Sequence, residues 1–420
     1  MSETPALARR LGTTDAVMIG LGSMIGAGVF AAFTPAAAAA GSGLLIGLLV
    51  AAFVAFCNAT SSAQLAAAYP ASGGSYLYGR ERLGPWAGFL AGWGFVIGKT
   101  ASAAAMAMTF AAYVAPPGWE RPVAVLAVVV LAAVNYHGIT RTARLTRILM
   151  VLVLTALAVI VAACWAGSSP DLGRIAADGL LAHDWYGVLQ SAGLLFFAFA
   201  GYARIATLSE EVRNPRRTIP RAILISLTLT AVVYAVVAVT LLATLGPSGI
   251  AAEPAPLAAA VASGDAGWAT PVVRAGAAVA ALGALLALIA GLGRTSLAMA
   301  REHDLPHQLA AIHPRFQVPH RAEVTVAVVI CLIIAVADLR GAIGFSSFGV
   351  LIYYLVANLA ALTQRAPDRR YPRVFQALGA VACVGLAATL PLQSMVAGAT
   401  VFAVGILVRA IRLARSARGR

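Results

Sequence analysis

Apolar stretches of membrane-crossing length follow one another along this chain. They fall near residues 13–40, 43–68, 86–113, 122–137, 145–165, 185–209, 219–245, 269–300, 322–337, 343–362, 374–391 and 394–411, with short loops between them. A backbone in lipid has no water to pair with, so such stretches must fold as helices that close their own hydrogen bonds. About 20 helical residues cross a hydrocarbon core of about 30 Å. The pattern predicts an all-α integral membrane protein with 12 transmembrane helices, a single polytopic domain over residues 1–420. Composition agrees: 60% of the residues are hydrophobic and 11% charged, and the mean hydropathy is +0.86. Soluble domains do not have this balance. The first ten residues are polar and the first run is too long for a signal-peptide core, so no cleaved leader is expected.

The formal net charge of +14 raises nucleic-acid binding, and the distribution of the charge argues against it. Arginines at 9–10, 80–82, 141–147, 213–221, 294–301, 315–321, 365–373 and 409–420 all fall on one side of a twelve-span topology. The other side carries only Arg121, Arg174, Arg274 and Arg340. Basic loops stay on the cytoplasmic side, which places both termini there, in a cytoplasmic (inner) membrane. The tail from Arg409 has no interleaved aromatics, and anionic lipid is its natural partner.

Two spans are irregular. The first would be about 42 Å long as a straight helix, and Gly20, Gly22, Gly26 and Gly28 interrupt its middle. Each glycine costs a helix about 1 kcal/mol relative to alanine. These glycines either open the helix for a ligand or let neighbouring helices approach closely. The sixth span repeats the irregularity, with Gly193 to Tyr202 running into Ala203-Arg204 at membrane depth. Interruptions in spans one and six fit two inverted five-helix repeats around a midplane site. The repeats would cover about 13–165 and 185–362, with two extra helices over 374–411.

Four stretches in this order resemble the amino acid–polyamine–organocation (APC) superfamily of amino-acid permeases. They are Gly22 to Phe30; Tyr69 to Tyr78 with Leu83-Gly84 and Gly92-Trp93; Gly201-Tyr202 through Glu210 to Pro215 and Ile219 to Arg221; and Gly293-Arg294 through Arg301-Glu302 to Pro306, followed by His313 to Phe316 and Pro319. The resemblance implies the five-plus-five inverted-repeat (LeuT-type) fold, discontinuous helices 1 and 6, and alternating access. It also implies a substrate site. The N–H groups of Ala27 and Gly28 would meet a substrate carboxylate, with Gly26 leaving room. The carbonyls of Met24, Phe197 and Ala200, next to Gly201, would accept from an α-ammonium group. The Phe197 ring would gate the site. Helix ends supply such groups by their own physics.

Lys99, the only lysine among 30 basic residues, lies well inside the third span. An intramembrane ammonium is costly and usually functional, and unlike arginine it readily gives up a proton. Relatives are thought to use a fifth-helix lysine in place of sodium; the matching position here is Val153. Lys99 is therefore a candidate for coupling or for recognition of the substrate side chain, with snorkelling as the structural alternative. Arg204 is a second intramembrane cation and a second candidate for coupling or side-chain recognition, with pairing to Glu210 or Glu211 as the structural alternative. Those two carboxylates are candidates for a cytoplasmic gate. Gln64 stands where relatives often have a glutamate, and Asp15 complements the first helix dipole.

No cofactor or metal is expected. His303 and His307 have i, i+4 spacing, but no acidic or cysteine set completes a site. Cys57, Cys164, Cys331 and Cys383 all lie in apolar runs. Near Ala290 to Gly293 the eighth span lacks the hydroxyls of a sodium site. The expected function is an amino-acid permease, sodium-independent and either proton-coupled or an exchanger, for a neutral or anionic substrate. A cationic amino-acid or polyamine exchanger is the alternative within the class; a non-transporting substrate sensor is the alternative outside it. No paired carboxylates or nucleophile–base pairs in the spans point to an enzyme.

Overall fold

Helices are the expected answer to so much apolar sequence, and the computed structural model of the protein describes helices almost throughout. It describes residues 11–69, 73–138, 143–167, 170–175, 179–181, 184–206 and 211–418. In chain order the helices are α1 (Thr13–Ala31), α2 (Phe33–Ala40), α3 (Leu44–Ala68), α4 (Gly74–Leu83), α5 (Pro85–Val114), α6 (Glu120–Tyr136), α7 (Ala143–Gly167), α8 (Asp184–Phe199), α9 (Ala203–Ala206), α10 (Pro215–Ala252), α11 (Pro256–Ala262), α12 (Thr270–Arg301), α13 (His320–Val336), α14 (Leu339–Leu362), α15 (Arg373–Thr389) and α16 (Leu392–Arg418). The only extended pairing among the described residues is a single parallel bridge, Leu11 to Val212.

Nine helical stretches among the described residues are long and apolar enough to cross a membrane. This is fewer than the twelve predicted spans. The first two spans are both present, but the boundary between them moves to Ala32, because α2, a 3-10 turn at Gly41–Gly43 and α3 run together as one stretch. The three missing spans are α6, α13 and α15, which have only 17 residues each. At 1.5 Å per residue each rises about 25 Å, short of the usual core thickness. The chain is a multi-pass membrane protein.

The first span departs from its predicted form. It is helical without interruption from Thr13 to Ala31, and the chain bends at Ala32, beyond all four glycines. Ala32 keeps helical angles and its N–H still donates to the Gly28 carbonyl at 3.0 Å. The glycines serve packing instead. A methyl group at Gly26 would lie 2.8 Å from Cβ of Ala284, and one at Gly28 would lie 2.7 Å from Cβ of Ala198. The sixth span breaks where expected: α8 ends at Phe199, Ala200–Tyr202 form a 3-10 turn, and α9 follows.

Small residues also set the crossing of α5 and α14. Gly94, Gly98 and Ser102 recur every four residues on α5 and face Ser346 and Gly349 of α14. A methyl group at Gly94 would sit 2.7 Å from the Gly349 carbonyl oxygen, and the Ser102 and Ser346 hydroxyls are 2.6 Å apart. Membrane helices associate this way because lipid offers no hydrophobic drive and close contact must supply the attraction.

Charged residues close one end of the bundle. Asp304, 3% exposed at its side chain, pairs with Arg80 at 3.1 Å and Arg409 at 2.9 Å. It also accepts from the Tyr76 hydroxyl at 2.8 Å. Burial and the Asp304 carboxylate push the Tyr76 hydroxyl up, so it keeps its proton and donates. The Arg409 guanidinium lies 4.6 Å and 4.7 Å from the ring centres of Trp86 and Phe89. This clasp holds α16 against α4 and α5. Arg409→Ala is expected to cost about 3 kcal/mol, because deleting one partner leaves a buried charge undercompensated. A thermal melt in detergent checks this, and Arg409→Lys should recover only part of the loss because lysine cannot reproduce the planar stacking.

Candidate functional site

The interrupted sixth span and the first helix meet in the core. Gly201 makes the meeting possible: a methyl group there would run into the backbone carbonyl of Ser23 and lie 2.7 Å from the Met24 nitrogen. Gly26, Gly28, Met24, Phe197, Ala200 and Gly201 are therefore gathered around one crossing, all of them buried. Ala27 lies in the same helical run. Because α1 is continuous there, the N–H groups of Ala27 and Gly28 sit inside a helix rather than at a helix end. That corrects the expectation of an open half-helix at this point; the packing of Gly26 on Ala284 and of Gly28 on Ala198 holds the helix closed.

Two of the three carbonyls expected to receive an ammonium group, those of Met24 and Ala200, already have side-chain donors. The Met24 oxygen accepts from the Tyr234 hydroxyl at 2.6 Å, and the Ala198 oxygen lies 3.1 Å from the same hydroxyl. The Ala200 oxygen accepts from Nζ of Lys99 at 3.2 Å and from the Tyr354 hydroxyl at 3.2 Å. The 3-10 turn frees the Ala200 oxygen, since residues leaving an α-helix lose their i→i+4 partners. Lys99, 7% exposed, thus binds the broken helix from α5. An ammonium group has three donors, and the Ala200 carbonyl is the one hydrogen-bond acceptor of Lys99 in the described structure.

Aromatic rings roof the break. Tyr202 stacks on Tyr354 with centroids 5.0 Å apart, and Phe196 meets Tyr354 edge-on at 5.8 Å. Tyr353 packs on Tyr354 and takes the Ser75 N–H at 3.1 Å. Phe197 is buried in the same core.

Beside the crossing, a cavity with about 20 Å³ of space open to water lies between α1, α7 and α12. Its lining includes Gly22, Gly26, Thr146, Val153, Gly283 and Ala284. That is room for about one water molecule. Val153, the position singled out in the fifth span, faces this space.

The expected gate residues are divided. Glu210 lies outside the described residues. Glu211 accepts the Leu11 N–H at its carbonyl, 3.0 Å, and Arg213 donates to the Leu11 carbonyl at 2.9 Å. The lead-in to α1 is thereby stitched to the segment after α9. Asp15, near the start of α1, forms an ion pair with Arg147 of α7. Arg204 lies beside α12, its guanidinium 3.9 Å from where a methyl group at Gly291 would be; its charged neighbours are Arg294 and Glu211. No group of three His, Cys, Asp or Glu side chains suited to a metal occurs among the described residues. The four cysteines are free.

Sequence reasoning missed two groups. Tyr234 was readable as a lone phenol in the middle of the seventh apolar run, needing a partner for its hydroxyl. Glu323 stands in the first turn of α13, where no neighbour in the sequence marks it as buried.

Comparison with known proteins gives the family. A family model described as amino acid permease matches residues 11–409. An uncharacterized transporter of Mycobacterium tuberculosis is 58% identical over 414 residues, covering 99% of this chain and 93% of that protein. A branched-chain amino acid permease of Bacillus subtilis is 25% identical, covering 91% and 86% of the two chains. A chloroplastic cationic amino acid transporter of Arabidopsis thaliana is 27% identical, covering 86% and 66%. A match over nearly the whole length, on a helical membrane protein whose first and sixth spans cross at Gly201, settles the affiliation: the chain belongs to the amino acid permease family of the APC superfamily.

Proposed function

We propose that this protein is a secondary active transporter that moves an amino acid across the cytoplasmic membrane by alternating access. Twelve spans form two inverted five-helix repeats, about 13–165 and 185–362, with two further helices over 374–411. Both termini are cytoplasmic. The observation that carries the reading is the Ala200 carbonyl, freed by the break in the sixth span and already holding the Lys99 ammonium. Groups that hold a cation at mid-membrane and sit beside a buried positive charge suit a zwitterionic or anionic solute. Binding opens α1 near Gly26 to Gly28, so that the N–H groups of Ala27 and Gly28 reach a carboxylate. Met24, Phe197, Ala200 and Gly201 line the other side, Phe197 gates the site, and Glu210 and Glu211 close its cytoplasmic end.

Coupling is to protons or to counter-substrate. The cavity beside α1 supports independence from sodium, because Thr146 is its one hydroxyl-bearing lining residue and hard cations bind through several oxygens. A cationic substrate is the second reading, favoured by the name of the Arabidopsis relative. Lys99 and Arg204 oppose it, since each adds positive charge beside the break.

Uptake of a labelled amino-acid panel into proteoliposomes containing this protein alone tests the proposal. Neutral or acidic members should accumulate under a pH gradient or exchange with internal substrate, indifferent to sodium. Uptake of lysine or arginine alone would establish the cationic reading. A sodium requirement would overturn the coupling, and no uptake of any member would favour a sensor.

A further inference from the structure

Two arginine-rich segments are fastened together at one end of the molecule. Arg216, Arg217 and Arg221 are exposed on the first two turns of α10. Arg365, Arg370 and Arg373 are exposed on the connection from α14 and at the start of α15. The Arg370 guanidinium donates to the backbone carbonyl of Arg216 at 2.6 Å, which brings the two segments into contact. Like charges repel, and no carboxylate of the protein offsets this contact. None of the six arginines forms an ion pair among the described residues. Neither α10 nor α15 has an acid in its first turn, and Asp368, the acid on the connection, is exposed and pairs with none of them. The clasp at Asp304 shows the contrast: there Arg80 and Arg409 share one buried carboxylate.

Beyond the arginines, both helices present uncovered apolar side chains. On α10 these are Ile225, Leu229 and Val232, and on α15 they are Val374, Leu378 and Val381, every one at least 43% exposed. Each set has the i, i+4, i+7 spacing that puts side chains on one face of a helix. Arg221, four residues before Ile225, stands at the base of the α10 stripe. The two helices flank α3, which packs against both.

We propose that this patch is a binding site for an anionic phospholipid of the adjacent leaflet. The guanidinium groups take the phosphodiester, for which arginine supplies paired N–H donors, and the acyl chains lie along the stripes of α10 and α15. The phosphate supplies the counter-charge that the protein withholds, and the lipid bridges α10 to α15. The turn leading into α10 also carries Arg213, whose N–H donates to the Leu11 carbonyl ahead of α1. Lipid bound here therefore steadies the segment that follows the interrupted sixth span. A soluble phosphate would satisfy the arginines alone; the uncovered stripes next to them commit the site to a lipid. Binding at this patch is independent of the transport reading above.

Native mass spectrometry of the purified full chain in detergent, titrated with phosphatidylglycerol or phosphatidylcholine, tests it. The wild type should retain phosphatidylglycerol in clear preference to phosphatidylcholine. R216Q/R217Q/R370Q should weaken that binding about 100-fold, since each basic side chain near an anionic headgroup contributes about fivefold. R301Q/R315Q/R321Q makes the same change of charge at exposed arginines elsewhere and should leave the affinity within about twofold. R216K/R217K/R370K keeps the charge, as lysine binds phosphate as a point charge, and should bind within about tenfold of wild type. Phosphatidylglycerol should also raise the melting temperature of the wild type, and not that of the first glutamine triple. Equal weakening in the two glutamine triples would reduce the effect to diffuse attraction and overturn the inference. So would a lysine triple as weak as the first glutamine triple, no preference for phosphatidylglycerol, or its displacement by inorganic phosphate, which would make this a soluble-anion site.

Discussion

The Gly201→Ala protein is expected to lose most of its stability and all transport. Inserted bulk in a packed interior costs about 1–3 kcal/mol when side chains can shift, and more when they cannot. Here the obstacle is backbone. The new methyl group would overlap the Ser23 carbonyl and lie 2.7 Å from the Met24 nitrogen. Relief requires α1 and the 3-10 turn at Ala200–Tyr202 to separate. That separation pulls the Met24 carbonyl from Tyr234 and the Ala200 carbonyl from Lys99 and Tyr354, so the local loss is at least about 3 kcal/mol. Melting temperature in detergent and yield of monodisperse protein measure it. Gly385→Ala is the control, because no atom lies within 4 Å of a methyl group there. Equal behaviour of the two variants would mean that the crossing at Gly201 is not tight.

The second large effect is expected at Lys99. Lys99→Met removes a buried charge while keeping an unbranched side chain of similar length. Stability should hold or rise, since a lysine at the centre of a membrane helix costs about 2.5–3.5 kcal/mol on insertion scales. Transport should fall sharply. A hydrogen bond to a charged group is worth about 1.5–3 kcal/mol, which is about 10- to 150-fold in apparent affinity for a ligand that completes the Lys99 shell. The neutral methionine also cannot carry a proton. If the ammonium recognises an anionic side chain, the variant should lose acidic substrates and keep neutral ones. If it couples, the variant should keep exchange and lose gradient-driven accumulation. An unchanged substrate profile together with unchanged pH dependence would reduce Lys99 to a strut beneath Ala200.

Much of the architecture was legible because apolar length is a local property. A run such as 86–113 must be a helix in lipid whatever it packs against, and α5 occupies it nearly end to end. The break in the sixth span was legible for the same reason: Gly201 followed by Ala203-Arg204 cannot continue an ordinary buried helix. The first span was misplaced because glycine allows two outcomes. Gly26 and Gly28 can open a helix or admit a neighbour, and the neighbours are Ala284 and Ala198, 258 and 170 positions further along. Nothing near Gly26 in the chain announces them. Glu323 escaped notice because a carboxylate in a first helical turn usually faces solvent; Gly293, on another helix, is what lets it be buried.

By itself, then, the sequence determined the long apolar helices, the interruption at Ala200–Tyr202 and the placing of Lys99 inside an apolar helix. Each of these follows from residues close together in the chain, through backbone hydrogen bonding and the cost of charge in lipid. Only the tertiary structure decided that the first-span glycines pack rather than part, that Tyr234 holds the Met24 carbonyl, and that Lys99 meets Ala200, 101 residues away. Those contacts depend on the register of packed helices. That register is set by small residues such as Gly94, Gly98 and Gly349, whose partners are chosen by the three-dimensional packing.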